Sequence, residues 1–199
     1  MTRNVTPPVD SVEGYDYTQP GAYFVTIVTH EQARLFGEVV DGKMRLNQYG
    51  EIVREECLQT AILPLRVIVD QFIVMPNHIH AIIMSTDDHG KGTLQRAPTV
   101  ERLGTPTSDS FPTIVRLFES ATTKRINTHR ATPGAPVWQR NCYEHVIRNE
   151  DAAERIREYI VSNPLRWALD RENPAAASLD DFDRWLDAQG HIPIPGVTK

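Results

Sequence analysis

Residues 65–84 read LRVIVDQFIVMPNHIHAIIM, two β-branched runs of strand length parted by a Pro-Asn pair. Such a stretch calls for a hairpin: two strands that return antiparallel about the turn at Pro76-Asn77. The second arm constrains more than the fold. Alternate residues of a strand share a face, so His78 and His80 project together while Ile79 points the other way, into a core. Two imidazoles converging on one spot are the minimum of a divalent-metal site, and a solvated or hydrogen-bonded pair fits the same spacing. Asn77 is open to two readings as well, a turn residue beside Pro76 or a partner that orients His78.

Around this hairpin the periodicity predicts five more elements. GAYFVTIVT (Gly21 to Thr29) is a first strand. LNQYGEIVREECLQTAIL places Ile52, Val53, Cys57, Leu58 and Ala61 on one helical face and is stopped by Pro64. PTIVRLFESATTKRINTH resumes helical spacing, VWQRNCYEHVI is β-like, and RNEDAAERIREYIVSN makes an amphipathic helix with Asn149 as N-cap. Pro164 is expected to interrupt or kink that helix. Strand, helix, strand, strand, helix, strand is the order of an α+β, ferredoxin-like split βαβ fold with a central antiparallel sheet, here with additional C-terminal helix. The expected division is a flexible segment over 1–20, one domain over 21–171 interrupted by a polar Gly/Pro/Ser/Thr-rich loop at 85–112, and an acidic tail over 172–199 to which no chemistry is attached.

With 199 residues, 40% of them hydrophobic, the chain can bury one ordinary core. No apolar run is long enough to span a bilayer and the start has no signal-peptide core, so a cytoplasmic protein without a membrane partner is expected. Cys57 and Cys142 have neither metal-clip spacing nor disulfide number. A net charge of −5 argues against a nucleic-acid partner until its distribution is considered. The middle of the chain concentrates Arg116, Lys124, Arg125, Arg130, Arg140 and Arg148 against Glu119 and Glu144, which allows a local basic surface or a solvated helix face.

A reactive group has to come from elsewhere. On the last main helix Tyr159 and Asn163 lie four residues apart and stack on one face. Helix geometry by itself favours a structural reading: Tyr159 a core aromatic, Asn163 an N-cap before a proline in the first turn of a new helix.

The motifs VMPNHIHAIIM, FESATTKRIN, WQRNCYEHVIRNE and YIVSNPLRW, in that order, with YFVTIVT and LFG ahead of them, resemble the REP-associated tyrosine transposases. These are HUH-superfamily relatives of the insertion-sequence transposases that work on single strands. The resemblance spans about Gly21 to Trp167 outside the polar loop. It implies an HUH-type ferredoxin-like fold, His78 and His80 as metal ligands, Asn163 as an amide third ligand and Tyr159 as nucleophile. It further implies Mg2+ or Mn2+, a 5′-phosphotyrosine intermediate, and single-stranded or hairpin DNA, such as repetitive extragenic palindromes, as substrate. Relatives act as monomers or as homodimers that share sites, and a monomer is expected here. Arg116, Lys124, Arg125 and Arg140 are candidates to neutralise phosphates, and Trp138 and Tyr143 to stack on unpaired bases, although each aromatic is individually better explained as core. His145 is expected to be structural. Two other functions fit the same residues: a DNA-hairpin binding module whose catalysis has decayed, and a metal-dependent hydrolase using activated water.

Overall fold

The computed structural model describes residues 21–60, 67–85, 111–140 and 142–189. The 1–20 segment, most of the polar loop, Pro64 and the last ten residues lie outside them. In chain order the elements are β1 (Gly21–Val28), β2 (Gly37–Val40), β3 (Lys43–Leu46), α1 (Gln48–Thr60), β4 (Val67–Val74), β5 (His78–Ser85), α2 (Phe111–His129), β6 (Tyr143–Ile147), α3 (Glu150–Arg166) and α4 (Asp181–Ala188). The main sheet is antiparallel throughout with order β4-β5-β1-β6. That is the ferredoxin-like order, with the β2–β3 hairpin inserted after the first strand, so the expected α+β fold is borne out.

The hairpin of β4 and β5 forms where the sequence places it, closed by Met75 N–H donating to the His78 carbonyl at 2.8 Å. Its period-2 pattern sorts the two faces of the sheet. Tyr23, Val25 and Ile27 of β1 and Ile79, Ala81 and Ile83 of β5 join the core beneath α1 and α2. Phe24 and Ile82 point the other way and pack with Ala152, Ile156, Tyr159 and Ile160 of α3 and Phe182 and Leu186 of α4. In the register Thr26 faces His80 and Val28 faces His78 across β1 and β5. Both histidines therefore sit at one end of the α3 face, and Ile79 is in the opposite core as expected.

Three local features differ from the sequence reading. The β2–β3 hairpin was not anticipated, although Asp41-Gly42 between short apolar runs is a strong turn pair; both residues have positive φ, 51° and 69°. VWQRNCYEHVI is a strand only from Tyr143: Val137 and Trp138 are buried in the α2-side core, and Trp138 makes one isolated bridge to Thr29. Pro164 lies inside the last turn of α3, which continues to Arg166 before a 3-10 turn at Trp167–Leu169. So near the helix end, the missing N–H deprives only the carbonyl four residues back. At the other end Asn149 is the N-cap, accepting from Ala152 N–H at 2.8 Å, with Glu150 and Asp151 in the first turn where the helix dipole favours them.

Candidate metal and tyrosine site

β5 and α3 bring their polar side chains together at one end of the sheet. The Nε2 atoms of His78 and His80 are 3.0 Å apart. The Nδ1 atom of His78 lies 2.9 Å from Asn77 Oδ1, and that of His80 2.9 Å from Thr26 Oγ1. Tyr159 points its hydroxyl into the same space, 3.5 Å from His80 Nε2. Burial takes the His78 imidazole down to about 3, against the pull of Asp170, so it is neutral at ordinary pH.

The carboxylate here comes from a residue the sequence did not point to. Asp170, just beyond the 3-10 turn, accepts from the Tyr159 hydroxyl at 3.2 Å and from Asn163 Nδ2 at 2.6 Å. The same oxygen is 3.8 Å and 3.7 Å from the two histidine Nε2 atoms, while Oδ1 accepts from Glu172 N–H at 2.7 Å. Burial alone would raise this carboxyl; the imidazoles and the Asn163 amide outweigh it and hold Asp170 below the usual carboxylate range. The Tyr159 phenol is pushed up, first by burial and then by the carboxylates of Asp170 and Asp183.

His78, His80 and Asp170 form a buried donor set able to hold a divalent cation. Two further observations fit an ion. Nε2 atoms 3.0 Å apart fit a proton or a cation held between them, and the Thr26 hydroxyl, able to donate or accept, allows His80 either tautomer. Asn163, expected as the third ligand, has its Nδ2 on Asp170 and its Oδ1 buried without a protein partner.

The site is covered. Tyr159 is 4% exposed and Asp170 1%. Phe182 of α4 stacks on the phenol with ring centroids 3.6 Å apart and planes 7° from parallel, and Phe24 meets it edge-on at 6.3 Å. The acidic tail, given no chemistry in the sequence reading, thus supplies the lid of the cluster. Its signal was present in DDFDRWL, where Phe182, Trp185 and Leu186 share one helical face.

The residues expected at DNA divide. Arg116, Lys124 and Arg140 are exposed along a groove of about 810 Å3 between α2 and residues 131–140, on the sheet face opposite Tyr159. Arg125 turns instead toward α1, paired with Glu55 at 2.6 Å and Glu56 at 2.8 Å. Trp138 edges the groove but is 8% exposed, packed on Phe36 and Phe118, with its indole N–H on Thr122 at 2.9 Å. Tyr143 is half-buried against the α3-side core, and burial raises its hydroxyl to about 12. Neither ring is free to stack on a base as it stands.

Sheet order and cluster define an α+β protein: a ferredoxin-like sheet carrying a His-x-His strand beside a helix tyrosine. No family model matches the chain. A Haemophilus influenzae protein with no functional description is 35% identical over 161 residues, covering 79% of this chain and 87% of that one. A second H. influenzae protein, whose description is that of a REP-associated tyrosine transposase, is 22% identical over 151 residues, 76% of this chain and 74% of that one. Among solved structures, a REP-associated tyrosine transposase bound to a REP hairpin superposes with a TM-score of 0.50 at 17% identity, over 84% of this chain and 74% of that one. The chain belongs to one family with the first of these proteins and has the fold of the REP-associated tyrosine transposases, bearing out the resemblance its motifs carry.

Proposed function

We propose that the protein nicks and rejoins single-stranded DNA in the cytoplasm, with Tyr159 as nucleophile and a divalent metal held by His78, His80 and Asp170. The observation that carries this reading is the Tyr159 hydroxyl, 3.5 Å from His80 Nε2 and 3.2 Å from Asp170 around one buried donor cluster. Asn163 orients Asp170 through its Nδ2 and offers its unpaired Oδ1 as a further ligand.

When bound, Mg2+ or Mn2+ would draw charge from the non-bridging oxygens of the scissile phosphate. The remaining work falls to the chain. Asp170 holds the phenolic proton, and the phenolic oxygen attacks phosphorus as the bond to the 3′-oxygen breaks. A 5′-phosphotyrosine and a free 3′-hydroxyl result, the departing oxygen taking up a proton. The ester energy is kept in the tyrosyl linkage, so a second 3′-hydroxyl reverses the step and joins a new strand. One chain supplies both the histidine pair and the tyrosine, which supports a monomeric unit.

Hairpin DNA is the favoured substrate, because the structurally similar transposase is bound to a REP hairpin. Arg116, Lys124 and Arg140 would hold backbone phosphates away from the reacting centre. Tyr159 and its neighbours are buried, so a phosphodiester reaches them only when α4 and Phe182 move aside. Incubation with hairpin-bearing single strands and Mn2+ tests the reading. Wild type forms a protein–DNA adduct that survives boiling in detergent, and Tyr159→Phe forms none while still binding the hairpin. Cleavage that persists in Tyr159→Phe would establish hydrolysis by water, and no cleavage by a wild type whose α4 is released would leave a binding module.

A further inference from the structure

We propose that Asn77 is a positioning residue of the metal centre: its side-chain amide dictates which nitrogen of His78 faces the cation and ties that imidazole to the loops at Gln32 and Glu172. The proposal rests on the reading of His78 and His80 as metal ligands.

A turn after Pro76 needs no buried amide, yet Asn77 is 0% exposed. Both polar atoms of its side chain and its backbone carbonyl are engaged. Nδ2 donates to the Glu172 carbonyl at 2.7 Å and to the Gln32 carbonyl at 3.3 Å, and its backbone carbonyl accepts from Thr29 N–H at 2.8 Å. Carbonyls only accept, so the network fixes the amide with Nδ2 toward the loops and Oδ1 toward His78. An amide oxygen only accepts too. The proton of His78 is therefore on Nδ1, 2.9 Å away, and the lone pair of Nε2 is aimed at His80 and Asp170.

Both tethered carbonyls belong to segments with a stake in the site. Gln32 and the preceding Glu31 stand in left-handed backbone, φ 54° and 56°, a strained pair for residues other than glycine. The Gln32 side chain also reaches the Glu172 carboxylate, at 3.4 Å. Glu172 N–H in turn binds Asp170 Oδ1. The path from His78 through Asn77 and Glu172 to Asp170 links two members of the donor set that lie 92 positions apart in sequence.

The test uses the full chain, metal-free, labelled with 15N-histidine, as wild type, Asn77→Asp and Asn77→Leu. Long-range 1H–15N spectra report the tautomer, calorimetry the Mn2+ affinity, and thermal melts the fold. Asn77→Asp keeps an acceptor for His78 Nδ1 but loses both donors to the loops. Wild type and Asn77→Asp should hold His78 in the Nδ1–H form. Asn77→Leu should shift toward Nε2–H and bind Mn2+ about 10- to 100-fold more weakly, with Asn77→Asp closer to wild type even if its melting point falls as far. A wild-type His78 protonated on Nε2 overturns the proposal, as does an Asn77→Leu protein with unchanged tautomer and affinity, or an Asn77→Asp protein that binds no better than Asn77→Leu. Should Asn77→Leu fail to fold, the wild-type and Asn77→Asp spectra decide alone. No readout involves DNA. Loss of nicking with Mn2+ binding intact overturns only the proposed reaction, whereas a wild type that binds no Mn2+ overturns the metal centre and this proposal together.

Discussion

Replacing Phe182 by alanine tests whether α4 governs access to Tyr159. Phe182 is 3% exposed and is the residue of α4 that touches the phenol, with further ring contacts to Phe24 at 5.9 Å and Trp185 at 5.4 Å. Truncating a buried phenylalanine costs about 3 kcal/mol at the lower end. If that loss falls on the docking of α4 and leaves the sheet intact, the undocked fraction rises about a hundredfold, at about 1.4 kcal/mol per decade. Leu186, the Arg166–Asp180 pair and the Arg171 pairs to Asp183 and Asp187 still hold the helix, so α4 remains mostly docked. The assay is the single-turnover rate of detergent-resistant adduct formation on hairpin-bearing single strands in Mn2+. Phe182→Ala should form adduct up to about a hundredfold faster while the main melting transition, set by the sheet and α1–α3, moves little. An unchanged or slower rate in a folded variant would refute the reasoning, since the stacked ring would then be orienting the tyrosine or standing clear of the entry path.

Other outcomes follow from the same geometry. The metal-free fold keeps His78 neutral down to about 3, whereas an unfolded histidine protonates near 6.5, so the unfolded chain binds the additional proton between those values. Stability is then lost as pH falls through that window: urea melts at pH 6 and pH 4.5 should show wild type losing up to about 1.4 kcal/mol per unit more than His78→Gln, and parallel pH dependences would sink the assignment. Lys124→Ala and Arg140→Ala should each weaken hairpin binding and reduce the salt slope by about one. Arg125→Ala, whose charge is spent on Glu55 and Glu56, should leave binding and slope alone and lower stability by no more than about 1 kcal/mol; a binding loss equal to that of Lys124→Ala would contradict the groove.

Which parts of this protein could be read from its sequence depends on whether a side chain's direction is set locally. His78 and His80 share a face because a strand has period two, whatever the rest of the chain does. The Asn149 cap and the stripe Ala152, Ile156, Tyr159, Ile160 and Asn163 are equally local. Arg125 shows where this fails. It is on the expected helix, one position from Lys124, but that step turns it about 100° around the axis, onto Glu55 and Glu56 of α1, and only the packing of two helices decides which cation meets an acid. Trp138 follows the same rule, since its ring direction is set by Phe36 and Phe118 from distant segments. Asp170 obeys no period at all: it follows the helix, after the 3-10 turn at Trp167–Leu169, and RWALDREN contains nothing to mark it.

The tyrosine is the instructive case, because its local pattern argues against its chemistry. A residue on the apolar stripe of an amphipathic helix is ordinarily packing, and Tyr159 does pack, between Phe182 and Phe24. Its polar tip is what departs from that role. A buried phenol needs one partner, and this one is offered a carboxylate and an imidazole that are themselves held by Asn163, Thr26 and, through Glu172, Asn77. So many polar groups gathered about one hydroxyl stabilise a fold less well than aliphatic packing of equal volume would. Replacing His80, Asp170, Tyr159 and Asn163 together by apolar residues of similar size, so that neither the phenol nor the amide is left without its acceptor, should therefore leave the melting temperature unchanged or raised while abolishing Mn2+ binding. A combined variant that melts far below wild type would show the cluster to be structural glue, and would remove the physical reason for reading it as a site.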